Sequence, residues 1–229
     1  MFDILQFIFW SITYFTVDLQ ILKSRHSAPQ FIFPRVANML DYSWEFVALL
    51  RDILGHCFGL SLLIHIVWFT FDTLIVYNSV VSLKQNYRKL FLFLFLPVIF
   101  GLYVWFKAEN GMLLSVFIID VIMAVDFIVC AAKLQNANIY GIIIAVSKLI
   151  GDLFAWLFYR SQHPAVYYMG VAVLVCNSLY LVIVLYRFFK EKQPTVKQQP
   201  VVEKRKQTVT QKKYSKGWQS TKKKYKKKK

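Results

Sequence analysis

Cysteine is scarce: Cys57, Cys130 and Cys176 are odd in number and far apart. That spacing excludes a disulfide framework or a thiolate metal centre, and Cys130 and Cys176 sit in apolar runs where a thiol packs as a small hydrophobe. Other signatures are missing as well. The chain has no Asn-x-Ser/Thr sequon, Gly-rich phosphate loop, paired metal-ligating histidines, Gly-x-Ser-x-Gly elbow or Asp-Asp-x-x-Asp cluster. These absences leave no basis in the sequence for a resident metal, for metal-bound diphosphate chemistry or for a cofactor. The opening residues Met1-Phe2-Asp3 lack the basic stretch of a cleavable signal peptide, so the first apolar run is expected to persist as a helix.

Acidic residues are also few, 12 against 28 Lys and Arg, for a net charge of +16. The charge is unevenly spread. From Arg187 to Lys229 there are 17 basic residues against Glu191 and Glu203, giving 17 − 2 = +15 and leaving +1 for the first 186 residues. What the chain has in abundance is hydrocarbon: 57% of its residues are hydrophobic and 17% aromatic. A water-soluble domain of this size does not require so much apolar surface, and a bilayer accounts for the excess.

Continuous apolar runs predict seven spans, at roughly 4–22, 35–50, 58–80, 90–106, 112–132, 139–159 and 166–187. About 20 residues of helix cross the hydrocarbon, so the second and fourth are short. Lipid offers no partners to backbone polar groups, and runs that do not alternate are helices rather than barrel strands. The expected fold is therefore an all-α integral membrane protein: a seven-helix domain over 1–187 and a disordered, Lys-rich tail over 188–229. The loops on the tail's side carry Lys23, Arg25, Arg35, Lys84, Arg88, Lys89 and Lys133, and the opposite loops carry Arg51, Lys107 and Arg160. This bias puts the N-terminus outside and the C-terminus in the cytoplasm, in a multi-pass protein of the cell membrane.

Such a body should exclude charge, yet Asp18, Asp41, Glu45, Asp72, Asp120, Asp126, Lys148 and Asp152 fall inside the spans. Each costs at least ~2.5–3.5 kcal/mol near the bilayer centre unless it faces a bundle interior or a wet cavity. Asn38, Asp41 and Glu45 lie at i, i+3 and i+7, and His65, Trp68 and Asp72 repeat that spacing on the next span. Lys148 and Asp152 form an i,i+4 pair, read as structural, and Asp18 is placed near a helix end at the interface. Asn177 and Tyr180 share a face of the last span. Polar groups at a common depth predict one central pocket.

A carboxyl group surrounded by hydrocarbon can keep its proton at neutral pH and deliver it to a weakly basic substrate. Aromatic faces stabilise cations, and Trp44, Trp68, Tyr42, Tyr77 and Tyr180 are the candidates. That combination suits carbocation chemistry on an isoprenoid, recognition of an organic cation or proton-coupled transport. A retinal protein is excluded, because the intramembrane lysine, Lys148, is not on the last span.

Three segments resemble the small seven-helix integral-membrane terpene cyclases of fungal meroterpenoid and indole-diterpene pathways and their bacterial relatives. Asp41-Tyr42-Ser43-Trp44-Glu45 is similar to that family's Asn-x-x-Trp-Glu stretch. Trp68-Phe69-Thr70-Phe71-Asp72 is similar to its Trp-x-x-x-Asp stretch, and Asn177-Ser178-Leu179-Tyr180 to its Asp-x-x-Tyr. The resemblance implies Glu45 as proton donor with Asp72 beside it, and Trp44, Trp68, Asp41, His65, Asn177 and Tyr180 around an isoprenoid-like small molecule. Asn177 stands where the family has a second acid, and Asp41 where it has Asn. Against the enzyme stand a small transporter built from two three-helix repeats and a non-catalytic membrane scaffold. The tail is expected to attract anionic lipid headgroups, at about 1 kcal/mol per basic residue near the surface. Nucleic acid is the disfavoured partner, since no folded RNA-binding motif accompanies the lysines.

Overall fold

The computed structural model describes residues 2–24, 34–81, 85–134 and 137–192. Their regular structure is seven α-helices: α1 (Phe2–Ser24), α2 (Arg35–Leu54), α3 (Leu60–Val81), α4 (Gln85–Trp105), α5 (Gly111–Lys133), α6 (Ile139–Tyr159) and α7 (Pro164–Lys192). Each apolar run of the sequence coincides with one helix. The ends follow local chemistry. Pro34 precedes α2 and Pro164 opens α7, positions where a missing N–H costs nothing. The Asn138 side chain accepts from Gly141 N at 3.1 Å and caps α6. Asn110 takes the left-handed conformation (φ 56°) to turn the chain into α5, a conformation Asn tolerates better than most residues.

Five helices, α1, α3, α5, α6 and α7, are long and apolar enough to cross a membrane. The charges of α2 keep it out of that set, and α4 offers the shorter apolar stretch Phe95–Trp105. Large apolar side chains face outward, Leu96 and Phe100 at 70% exposure and Val175 at 63%. A soluble monomer does not carry so much exposed hydrocarbon. The chain is a multi-pass helical membrane protein. α7 continues to Lys192, past the expected boundary at 187. The expectations for the tail from residue 193 onward lie outside the described residues.

Helix contacts close a ring: α1 packs on α3, α3 on α2, α2 on α5, α5 on α7, α7 on α6, and α6 back on α1. α4 sits outside it against α2 and α5. Neighbours in sequence run in opposite directions. One end of the bundle brings together Gln6 near the start of α1, Arg51 near the end of α2, Leu60 at the start of α3 and Tyr159 at the end of α6. At the other end Lys23, late in α1, donates to the Tyr140 hydroxyl, early in α6. Every ring helix turns polar side chains to the interior: Thr13 and Tyr14, Asn38 and Glu45, Asp72, Asp120, Lys148 and Asp152, and Asn177 are all buried.

Candidate functional site

Two polar groups divide the interior. The first belongs to α2 and α3, with help from α1. Glu45 is 2% exposed, and its Oε2 has no hydrogen-bond partner among the described residues. Asp72 is fully buried; Asn38 Nδ2 donates to its Oδ1 at 3.1 Å, while Oδ2 is unpartnered. Asp41 accepts a 2.6 Å bond from the Tyr14 hydroxyl. The spacing of Asn38, Asp41 and Glu45 produces this arrangement, because one stripe of α2 faces inward and meets the Asp72 stripe of α3. Glu45 lies within electrostatic reach of Asp41, Asp120 and Asp52, and Asp72 within reach of Asp41, Glu45 and Asp18. Among the described residues no ion pair closes on Glu45 or Asp72.

The second group joins α6, α7 and α1. Lys148 is fully buried and donates to Asp152 Oδ2 at 2.9 Å. Asn177 Nδ2 donates to the same oxygen, and the Lys148 ammonium sits 4.3 Å from the centroid of the Trp10 ring. Trp10 reaches that position because residue 151 is Gly; a Cβ there would stand 2.8 Å from Trp10 Cδ1. Thr13 and Ser147 hydroxyls, 2.7 Å apart, tie α1 to α6 beside it. An acid is thus present next to Asn177, supplied by α6 rather than α7, and it is charge-balanced.

The pocket is not where common depth put it. The space at the centre, bordered by Tyr14, Asn38 and Phe127, is only about 10 Å³, the size of one water probe. The substantial cavity, about 490 Å³, opens at the end of the bundle where α2 finishes and α3 begins. Trp44, His65 and Trp68 line it. Glu45 follows Trp44, while Asp41 and Asp72 lie about one helical turn further into the bundle than Trp44 and Trp68, or ~5.4 Å. Side chains fix the aromatic walls. Trp44 Nε1 donates to Ser115 Oγ at 2.9 Å, and its ring meets the His65 edge at 5.9 Å. Trp68 packs against Phe7 at 6.0 Å and Tyr14 at 6.5 Å.

Several placements differ from expectation. Tyr77 is 63% exposed and points away from the interior. Tyr42 stacks on Phe69 and Phe95, at 5.1 and 5.3 Å, between α3 and α4 outside the ring. Tyr180 is buried against Phe127 at 5.1 Å, away from the large cavity. Asp18 is buried beside Asn78 rather than lying at the interface. Asp126 Oδ2 accepts from Ala37 N at 3.4 Å, meeting one of the free N–H groups that open α2. Asp52, Tyr14 and Ser115 carry much of the site's hydrogen bonding, and their bonds to Ser61 and His65, to Asp41 and to Trp44 cross between helices, so sequence spacing gave no sign of them. Among the described residues no group of three or more His, Cys, Asp or Glu is placed to hold a metal ion. No protein-family model, curated protein or solved structure matches the chain.

Proposed function

We propose that the chain is a membrane-embedded, terpene-cyclase-like protein that modifies an isoprenoid, with Glu45 as proton donor and Asp72 holding the acid cluster in place. The observation that carries the reading is the Glu45 carboxyl oxygen, buried among other acids and unpartnered among the described residues, on the residue that follows Trp44 of the cavity wall; Glu45 itself is not part of the lining. Among the described residues no cation pairs with this carboxyl group and no donor reaches its Oε2, so it can carry a proton itself. It can then protonate a double bond that water leaves untouched. The proton adds to one alkene carbon, neighbouring π bonds close on the cation formed, and loss of a proton at the far end returns a proton to the carboxylates and leaves a neutral product. Overall the reaction is an isomerisation. Trp44 and Trp68 present ring faces to the travelling cation.

The same reading makes α2 and α4 membrane spans, completing seven, with the N-terminus outside and the C-terminus cytoplasmic. The excess of basic residues in the loops on the tail's side supports this orientation. The test is turnover of linear prenylated phenols by purified protein, followed by mass spectrometry. Cyclised product from the wild type, with at least ~100-fold less from Glu45→Gln, is expected of a lost general acid. Equal product from both proteins removes Glu45 from that role.

A further inference from the structure

At the mouth of the cavity lies a second cluster that the proton-transfer chemistry does not use. Asp52 accepts four hydrogen bonds. Arg51 Nε and Nη2 donate to Oδ1 at 3.2 and 2.7 Å, Ser61 Oγ donates to Oδ2 at 2.8 Å, and His65 Nδ1 stands 2.9 Å from Oδ2. The carboxylate is therefore saturated, and it is hidden: its side chain is 1% exposed, against 48% for Arg51. Arg51 and His65 line the cavity, and Asp52 does not. The cavity meets the donor end of the pair and is screened from the acid.

Of the two cavity-facing groups, Arg51 retains donor capacity. The remaining Arg51 nitrogen, Nη1, contacts the Met112 thioether, a weak acceptor for a charged donor. With Nδ1–H donated to Asp52, the neutral His65 ring has Nε2 left as an acceptor, which suits a head-group hydroxyl and not a bare anionic oxygen. Gln6, Asn110 and Gln162 add amides to the lining, and no carboxylate is part of it. Behind this polar mouth the walls turn apolar at Trp44, Trp68, Leu113 and Val116. At about 490 Å³ the space is within the usual range for small-molecule sites.

We infer that this cavity binds a single-chain amphiphile with an oxyanion head, a phosphate or carboxylate, held at Arg51 with its hydrocarbon chain along Trp44 and Trp68. A guanidinium with a free N–H edge pairs with an oxyanion far more strongly than with a thioether. The assignment concerns recognition at the mouth and stands apart from Glu45's chemistry.

The experiment is a titration of the purified protein in uncharged detergent with farnesyl phosphate, farnesol and inorganic phosphate, read by quenching of tryptophan fluorescence. Farnesyl phosphate is expected to bind at least about tenfold more tightly than farnesol, and inorganic phosphate to compete weakly. Arg51→Gln is expected to remove that preference and Arg51→Lys to keep part of it, with farnesol binding unchanged in both. Equal affinity for farnesol and farnesyl phosphate in the wild type overturns the inference without any variant. So does a preference that survives in Arg51→Gln. Displacement of farnesyl phosphate by phosphatidic acid identifies a bilayer lipid as the source of the head group; failure to displace assigns the site to single-chain ligands. Glu45→Gln is expected to bind farnesyl phosphate normally, so a failure of the cyclisation reading leaves this result distinct.

Discussion

The two polar groups inside the ring are equally buried and oppositely compensated. On the α6–α7 side, Lys148, Asp152 and Asn177 form a charge-neutral set with an aromatic ring over the cation. On the α2–α3 side, Glu45 and Asp72 face other acids, and among the described residues no cation pairs with either. The first arrangement holds helices together. The second is poor scaffolding, because buried acids that face one another without a paired cation cost stability. Residues arranged against stability in this way are candidates for chemistry.

The largest expected effect breaks the balanced side. Asp152→Asn removes the acid hydrogen-bonded to Lys148, leaving Asp41 and Asp120 as the acids within its electrostatic reach, and a loss of about 3–5 kcal/mol is expected from denaturant or thermal unfolding in detergent. Replacing both partners, Lys148→Met with Asp152→Leu, is expected to recover most of it. Gly151→Ala probes the same side more gently. Its Cβ displaces Trp10 from the Lys148 face, with an expected cost of about 1–3 kcal/mol. On the acid side the stability effect is smaller: Glu45→Gln is expected to change unfolding by less than about 1 kcal/mol, because it removes no ion pair, while abolishing turnover. A loss as large as that of Asp152→Asn would erase the contrast between the two sides. Tyr77→Ala, at an exposed position, is expected to stay within about 0.5 kcal/mol of the wild type and to keep its activity.

Helix positions were legible because lipid makes long apolar runs obligatory. Helix ends were less so, since hydropathy marks apolar content rather than backbone conformation. α4 begins at Gln85 instead of 90 and α2 runs to Leu54 instead of 50, the first extension being polar and the second opening with the charged pair Arg51 and Asp52. The inward stripes of α2 and α3 were readable from i, i+3, i+7 spacing. Residue type alone misplaced Tyr42 and Tyr77: one residue past Asp41 is about 100° around the helix, and five past Asp72 about 140°. The position of the cavity could not be read, because it depends on how five helices splay at one end. Nor could the Asp52 cluster, whose partners sit on both sides of the α2–α3 turn.

The most direct test of the acid side is deuterium incorporation. Wild-type protein is given a linear prenylated substrate in D₂O, and the cyclised product is weighed. The account predicts one non-exchangeable deuterium per product molecule from the wild type and no product from Glu45→Gln. Product that forms without deuterium, or that forms equally in Glu45→Gln, contradicts it.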